Sequence, residues 1–137
     1  MTSRLVFVDS SALIAFYSTR EERHAEAVRE FDRVGREDRG LVISDYILDE
    51  TVTFLRYRYG FDLALRAWEE MESGEMASLV QVTADHRAEA LKIFKKYSQR
   101  RLSLTDCVSF ALMRFLGIRD ALTFGDDFRK ANFLAIS

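Results

Sequence analysis

RLVFVDSSALIAFY, Arg4–Tyr17, is the stretch that decides the fold. Leu5–Val8 is a short, β-leaning apolar run with no polar alternation, the pattern of a strand covered on both faces. Asp9 breaks the run, Ser10 and Ser11 follow, and a helical pattern then continues to about Ser18. The carboxylate therefore stands where a buried strand ends and a helix begins. In open α/β sheets ligands bind outside the carboxyl ends of the strands, so Asp9 occupies the position where such a sheet places a functional group.

The same alternation extends along the chain. Thr19–Glu22 has the form of a capping box opening a second helix, with Ala25, Val28, Phe31 and Val34 on its apolar face. Gly35–Gly40 reads as a loop and Leu41–Ile43 as a second strand. Ser44 or Asp45 caps a helix carrying Ile47, Leu48, Val52, Phe54 and Leu55, and Gly60 ends it. A further helix runs from Asp62 to about Glu72. Leu79–Val82 is a third strand. Thr83 caps a helix through Tyr97 with Ala88, Leu91, Ile93 and Phe94 inside. Ser103 caps Leu104–Leu116, and Gly117 stops it. Ala121–Phe124 is a fourth strand, Asp126–Ala131 a helical turn and Phe133–Ile136 a final strand. Short apolar strands alternating with amphipathic helices predict one α/β domain over residues 1–137. Its sheet would be central, mostly parallel, of about five strands, with helices on both faces.

Bulk composition sets the outer limits. The chain has 137 residues, 48% of them hydrophobic and 31% charged, which suits a soluble globular domain with a sizeable core. No apolar run approaches the roughly 20 residues that span a bilayer. The N-terminus lacks the form of a signal peptide. Cys107 is the single cysteine, so an internal disulfide is excluded and a reducing cytoplasm is the expected compartment. A formal net charge of −2 excludes a uniformly basic polyanion binder, but clustered arginines could still hold nucleic acid locally.

Acidic residues recur near the sheet edge where Asp9 ends its strand. Glu50 lies in ISDYILDETVTFL, Asp106 in the first turn of the helix in RLSLTDCVSFAL, and Asp126 and Asp127 after the fourth strand in ALTFGDDF. Each has a structural alternative. Asp9, Asp126 or Asp127 can cap a helix, Asp106 completes a capping box with Ser103, and Glu50 can be an exposed helix residue. Taken together, carboxylates converging on a half-buried place repel one another unless they protonate or share a cation. All-oxygen donors favour a hard divalent ion, Mg²⁺ or Mn²⁺. The two histidines, His24 and His86, lack zinc-ligand spacing. There is no Gly-rich phosphate loop and no nucleophilic triad signature. A metal held this way can lower the pKa of a bound water and orient it on a phosphodiester.

VFVDSSALIAFY, LVISDYILDETVTFL, RLSLTDCVSFALMRFLGI and ALTFGDDF, in this order and at these spacings, resemble the PIN-domain family, in particular its VapC-like toxins. The resemblance covers nearly the whole chain. It implies a PIN fold and metal-dependent endonuclease activity on RNA. By motif, it implies Asp9, Glu50 and Asp106 as metal-binding acids, with Ser10 or Ser11 and then Thr123 as supporting hydroxyls. It also implies a cognate antitoxin whose tail lies in a groove formed by the early helices, and a homodimer. One departure stands out. Where the family's fourth motif reads Thr-x-Asp, this chain has Gly125, and the acids follow one and two residues later. Asp126 is the expected replacement and Asp127 the weaker candidate.

Arg20, Arg100 and Arg101 are candidates for holding the RNA backbone, in a salt-dependent way. An Asp9-nucleophile phosphohydrolase of the haloacid-dehalogenase type is the competing enzyme reading, and Ser11 stands where that type carries its second Asp. A catalytically impaired PIN-like module that binds RNA or a protein is the competing non-enzyme reading, kept open by Gly125. Phe54, Tyr57, Tyr59, Phe61 and Trp68, clustered on two consecutive predicted helices, are either core or a partner surface.

Overall fold

The computed structural model describes residues 4–125 and the short strand at 134–135. In chain order the elements are β1 (Leu5–Val8), α1 (Ser10–Tyr17), α2 (His24–Arg36), β2 (Gly40–Ser44), α3 (Asp45–Tyr59), α4 (Phe61–Glu72), β3 (Ser78–Val80), α5 (Ala84–Lys96), α6 (Leu104–Leu116), β4 (Asp120–Leu122) and β5 (Leu134–Ala135). The strands form one sheet in the order β3-β2-β1-β4-β5. Every pairing is parallel: Phe7 is in register with Val42 on one side and with Ala121 on the other, and Ala121 with Ala135.

That order places a reversal beside β1. The chain moves outward through β2 and β3, then crosses back to lay β4 on the opposite side of β1. Right-handed crossovers in opposite directions put the connecting helices on opposite faces of the sheet. The carboxyl ends of β1 and β4 flank the resulting crevice, which is where a ligand enters such a sheet. Asp9 N–H donates to Leu122 O at 3.0 Å and fastens the two ends together.

Val6, Phe7, Val8, Ile43, Ala121 and Leu122 are fully buried, as uniformly apolar strands require. In α6, Cys107 through Met113 are buried without interruption, so this helix is enclosed on all sides between its first turn and its exposed last one. Ser103 caps it: Ser103 Oγ accepts from Asp106 N–H and Asp106 Oδ2 accepts from Ser103 N–H, each at 3.0 Å. Thr83 caps α5 and Ser44 caps α3 through their side chains. Gly117 ends α6 at φ 67°, a left-handed conformation that costs glycine least. Among the described residues, no helix is long and apolar enough to cross a membrane.

Several local expectations are corrected. Thr19 does not cap α2, which starts at His24. Ser18 Oγ accepts from Arg20 N–H at 3.2 Å, and Tyr59 Oη donates to Glu21, so residues 18–23 are used up in turns. The buried face of α2 is Ala27 and Val34 rather than Ala25 and Val28. In α5 the buried residues are Ala90 and Ile93, while Ala88, Leu91 and Phe94 face outward. β3 stops at Val80, and Val82 N–H then donates to Asp45 Oδ1 at 3.0 Å. β4 spans Asp120–Leu122, because Phe124 N–H is taken by Ser11 Oγ at 3.0 Å instead of by a strand. The turn expected at Asp126–Ala131 lies outside the described residues. The last strand is described only at Leu134–Ala135.

Candidate active site

Asp9 stands at the N-cap of α1 but makes no side-chain capping bond to that helix. Its Oδ2 instead accepts two hydroxyls, Ser11 Oγ at 2.8 Å and Thr123 Oγ1 at 2.9 Å. These hydroxyls lie 3.3 Å apart, and Thr123 Oγ1 also accepts from Gly125 N–H at 3.0 Å. The strand ends alone create this cluster: residue 9 follows β1, residue 123 follows β4, and their register sets them side by side. Burial pushes the Asp9 carboxyl above its ordinary range. The Ser11 and Thr123 hydroxyls oppose that rise, followed by the backbone N–H groups of Ser10 and Ser11.

Glu50 comes from α3. Ser10 Oγ donates to Glu50 Oε1 at 2.5 Å, which draws it to the start of α1. Its pKa is also raised, first by desolvation, with the Ser10 bond opposing, and then by the charges of Asp9, Asp106 and Asp49. Glu50 thus feels the charges of both Asp9 and Asp106. Asp106 does the capping work expected of it and also presents its charge to Glu50. Cys107, next to Asp106, is fully buried, and burial, with Asp106 adding, pushes its thiol up to about 11. That excludes it as a nucleophile at neutral pH.

Asp9, Ser11 and Thr123 thus form one hydrogen-bonded group and Ser10 with Glu50 a second, adjacent in the chain at residues 9–11, and both Asp9 and Asp106 are coupled to Glu50 by charge. Asp126 and Asp127 lie outside the described residues. Among those described, no three acidic, histidine or cysteine side chains form a closed metal cage. Gly125 does not adopt the left-handed backbone that a rearranged turn would use, and a Cβ built on it meets Thr123 Oγ1 at 3.7 Å, an ordinary contact. An acid at position 125 would therefore be admitted beside the cluster.

Two of the three arginine candidates lie over aromatic rings. Arg20 lies over Tyr59 at 5.8 Å and Arg100 over Tyr97 at 4.9 Å, and Arg101 is exposed just before α6. Sequence reasoning missed Arg23, whose guanidinium lies 4.0 Å over the Phe124 ring and whose Nη1 donates to Phe124 O at 3.5 Å. Nothing in the charged run TREER singles it out, since its partner is about 100 residues away.

Residues 6–134 match the PIN-domain family. The chain belongs to that family. It is 30% identical to the 23S rRNA-specific endonuclease VapC20 of Mycobacterium tuberculosis over 132 residues, covering 96% of this chain and 98% of that one. It is 24% identical to the VapC ribonuclease of Aquifex aeolicus, covering 95% and 94%. The crystal structure of the M. tuberculosis VapC20 protein, described as a sarcin–ricin loop cleaving toxin, superposes with a TM-score of 0.87 over 96% of this chain and 98% of that one. This PIN domain is thus similar to the VapC relatives over essentially their whole length. Membership in the family removes the support for an aspartyl-phosphate mechanism at Asp9.

Proposed function

We propose that the chain is an endoribonuclease, the toxin of a type II toxin–antitoxin pair, which hydrolyses RNA phosphodiesters with a metal-activated water. The observation that carries this reading is the convergence of Asp9 and Glu50, with Asp106 within electrostatic reach, at the topological switch point of a PIN sheet whose relatives are named ribonucleases. Burial raises both the Asp9 and the Glu50 carboxyls, and at Glu50 the charges of Asp9, Asp106 and Asp49 add to the rise, a repulsion a cation would relieve.

The donor chemistry fits Mg²⁺ or Mn²⁺: the converging side chains offer carboxylate and hydroxyl oxygens and no soft ligand. Asp9, Glu50 and Asp106 would hold the ion, with Asp126 as the candidate fourth acid. When bound, it would supply Lewis acidity toward a phosphate oxygen and a water of lowered pKa. The residues' own work is positional. Ser11 and Thr123 fix the rotamer of Asp9, and Ser10 fixes that of Glu50. Ser103 and Asp106 together hold the mouth of α6. Arg20, Arg100 and Arg101 would take the RNA backbone. The partners would be RNA, a cognate antitoxin and a second copy of the chain.

The impaired-module reading keeps one observation in its favour, Gly125 standing where an acid is expected. The deciding experiment is calorimetric Mn²⁺ binding to wild type and Asp9→Asn, with circular dichroism to establish that both are folded, followed by cleavage assays. The first RNA to assay is a sarcin–ricin loop hairpin, the target named for the VapC20 relative. Binding by wild type alone together with metal-dependent cutting establishes the nuclease. Binding without turnover on varied RNAs establishes the module.

A further inference from the structure

We propose that the recess beside the carboxylates is a nucleobase pocket that selects guanine next to the bond being cut, an inference that rests on the ribonuclease reading. The recess, of about 290 Å³, is lined by Ser11, Glu21, Glu22, Arg23, Phe54 and Phe124, among others. Ser11 belongs to both places: it faces the recess and donates to Asp9 Oδ2. An RNA whose backbone lies on the acids therefore has a flanking base at the mouth of this recess.

The walls suit a base better than a phosphate. Phe54 is 41% exposed and offers a ring face, and the Arg23 guanidinium over Phe124 offers a second planar surface. Single-stranded RNA is recognised by stacking bases on such aromatic and guanidinium planes and by reading their Watson–Crick edges. Two carboxylates, Glu21 and Glu22, line the same space and repel a phosphate. The Arg23 charge is partly met by Glu26 at 2.8 Å. Acceptors on a base-sized recess call for a base edge rich in donors. Guanine is the one common base with two adjacent donors on that edge, N1–H and the N2 amino group. Adenine and cytosine place a ring acceptor beside their amino group, and uracil flanks its single N–H with two carbonyls.

Glu21 is also held in place. Tyr59 Oη donates to its Oε2, which leaves Oε1 available to a ligand. Arg20 lies over the same Tyr59 ring, so the turn between α1 and α2 is braced from α3. The acceptor is thus ordered before any base arrives, as selectivity requires.

The test is NMR titration of the wild-type protein in metal-free buffer with guanosine monophosphate and inosine monophosphate, which differ only in the N2 amino group. Guanosine monophosphate should bind about tenfold more tightly. Glu21→Gln and Glu22→Gln should each reduce that preference, and Phe54→Ala should weaken both ligands alike. Equal binding of the two nucleotides by wild type, or a preference that survives both glutamine variants, overturns the proposal. So does displacement of guanosine monophosphate by an equal concentration of arginine amide, which would assign the recess to a cationic side chain of a protein partner. RNA cleavage is scored separately. A guanine preference without cleavage leaves the pocket standing and removes the nuclease reading, while cleavage without the preference removes only the pocket.

Discussion

Ser10 Oγ donates to Glu50 Oε1 at 2.5 Å, joining the start of α1 to the middle of α3 across 40 residues of sequence. This bond opposes the desolvation that raises the Glu50 pKa. Ser10→Ala should therefore raise that pKa further, because the charged carboxylate loses a donor while its burial stays. A protonated Glu50 cannot serve as a ligand. The acidic limb of the pH–rate profile should move to higher pH, and the plateau rate should fall about tenfold. An unmoved limb would mean that the bond does no more than hold α1 to α3.

Asp9→Asn should abolish cleavage and raise the melting temperature in chelator-containing buffer. The folded-state pKa of Asp9 is raised above its ordinary value of 3.8 by burial. The folded state then binds the proton more tightly than the unfolded chain does. The associated stability is fully present below that ordinary value and is lost as pH rises through the raised one. Wild type should thus lose stability in this window on going toward neutrality, and Asp9→Asn, whose amide oxygen still accepts from Ser11 and Thr123, should lack that component. Paired melting curves across the acid range check the sign. A variant less stable than wild type at neutral pH would contradict it.

Divalent metal should reverse the same penalty. An ion that binds only the folded state stabilises it by about 2.7 kcal/mol at about 100 times its Kd. Mn²⁺ should raise the wild-type melting temperature and leave Asp9→Asn unmoved. Gly125→Asp extends the test. The Cβ of an added side chain would sit 3.7 Å from Thr123 Oγ1, without a clash and without a left-handed backbone to relieve. Mn²⁺ affinity should rise severalfold if the fourth acid is missing from this chain. Unchanged affinity would show that Asp126 already serves.

Much of this site was legible because strand ends are. An apolar run broken by Asp9, and a second one followed by Thr123, suffice to place both residues at one sheet edge once the strands are parallel neighbours. The capping box of Ser103 and Asp106 is local and was readable for the same reason. Other features depend on choices that periodicity does not make. In ALKIFKK, Leu91, Ile93 and Phe94 sit on more than one helix face, and only packing against α6 selects Ile93 as the buried one. Thr19–Glu22 has the composition of a capping box, but Ser18 and Tyr59 claim its backbone and its Glu21 first. The recess walled by Arg23 and Phe124 joins residues about 100 positions apart, and no local signal announces it.

The aromatic residues of α3 and α4 provide the last test. Tyr57 is 87% exposed, Phe61 58% and Trp68 48%, so the alternative of simple core packing does not hold for them. Phe61, Leu65 and Trp68, with Val52, Ala64 and Arg56, line an apolar groove of about 280 Å³ away from the carboxylates. Large aromatics in a partly desolvated groove carry binding energy out of proportion to their number. Trp68→Ala should weaken the antitoxin by about 2 kcal/mol, roughly 30-fold in Kd. It should leave RNA cleavage by the free protein unchanged, since no contact links Trp68 to Asp9 or Glu50 among the described residues. Titrating the antitoxin against Trp68 fluorescence in wild type, and by calorimetry for the variant, measures both. If the variant binds antitoxin normally but falls apart as a dimer in sedimentation, the groove belongs to the second copy of the chain instead.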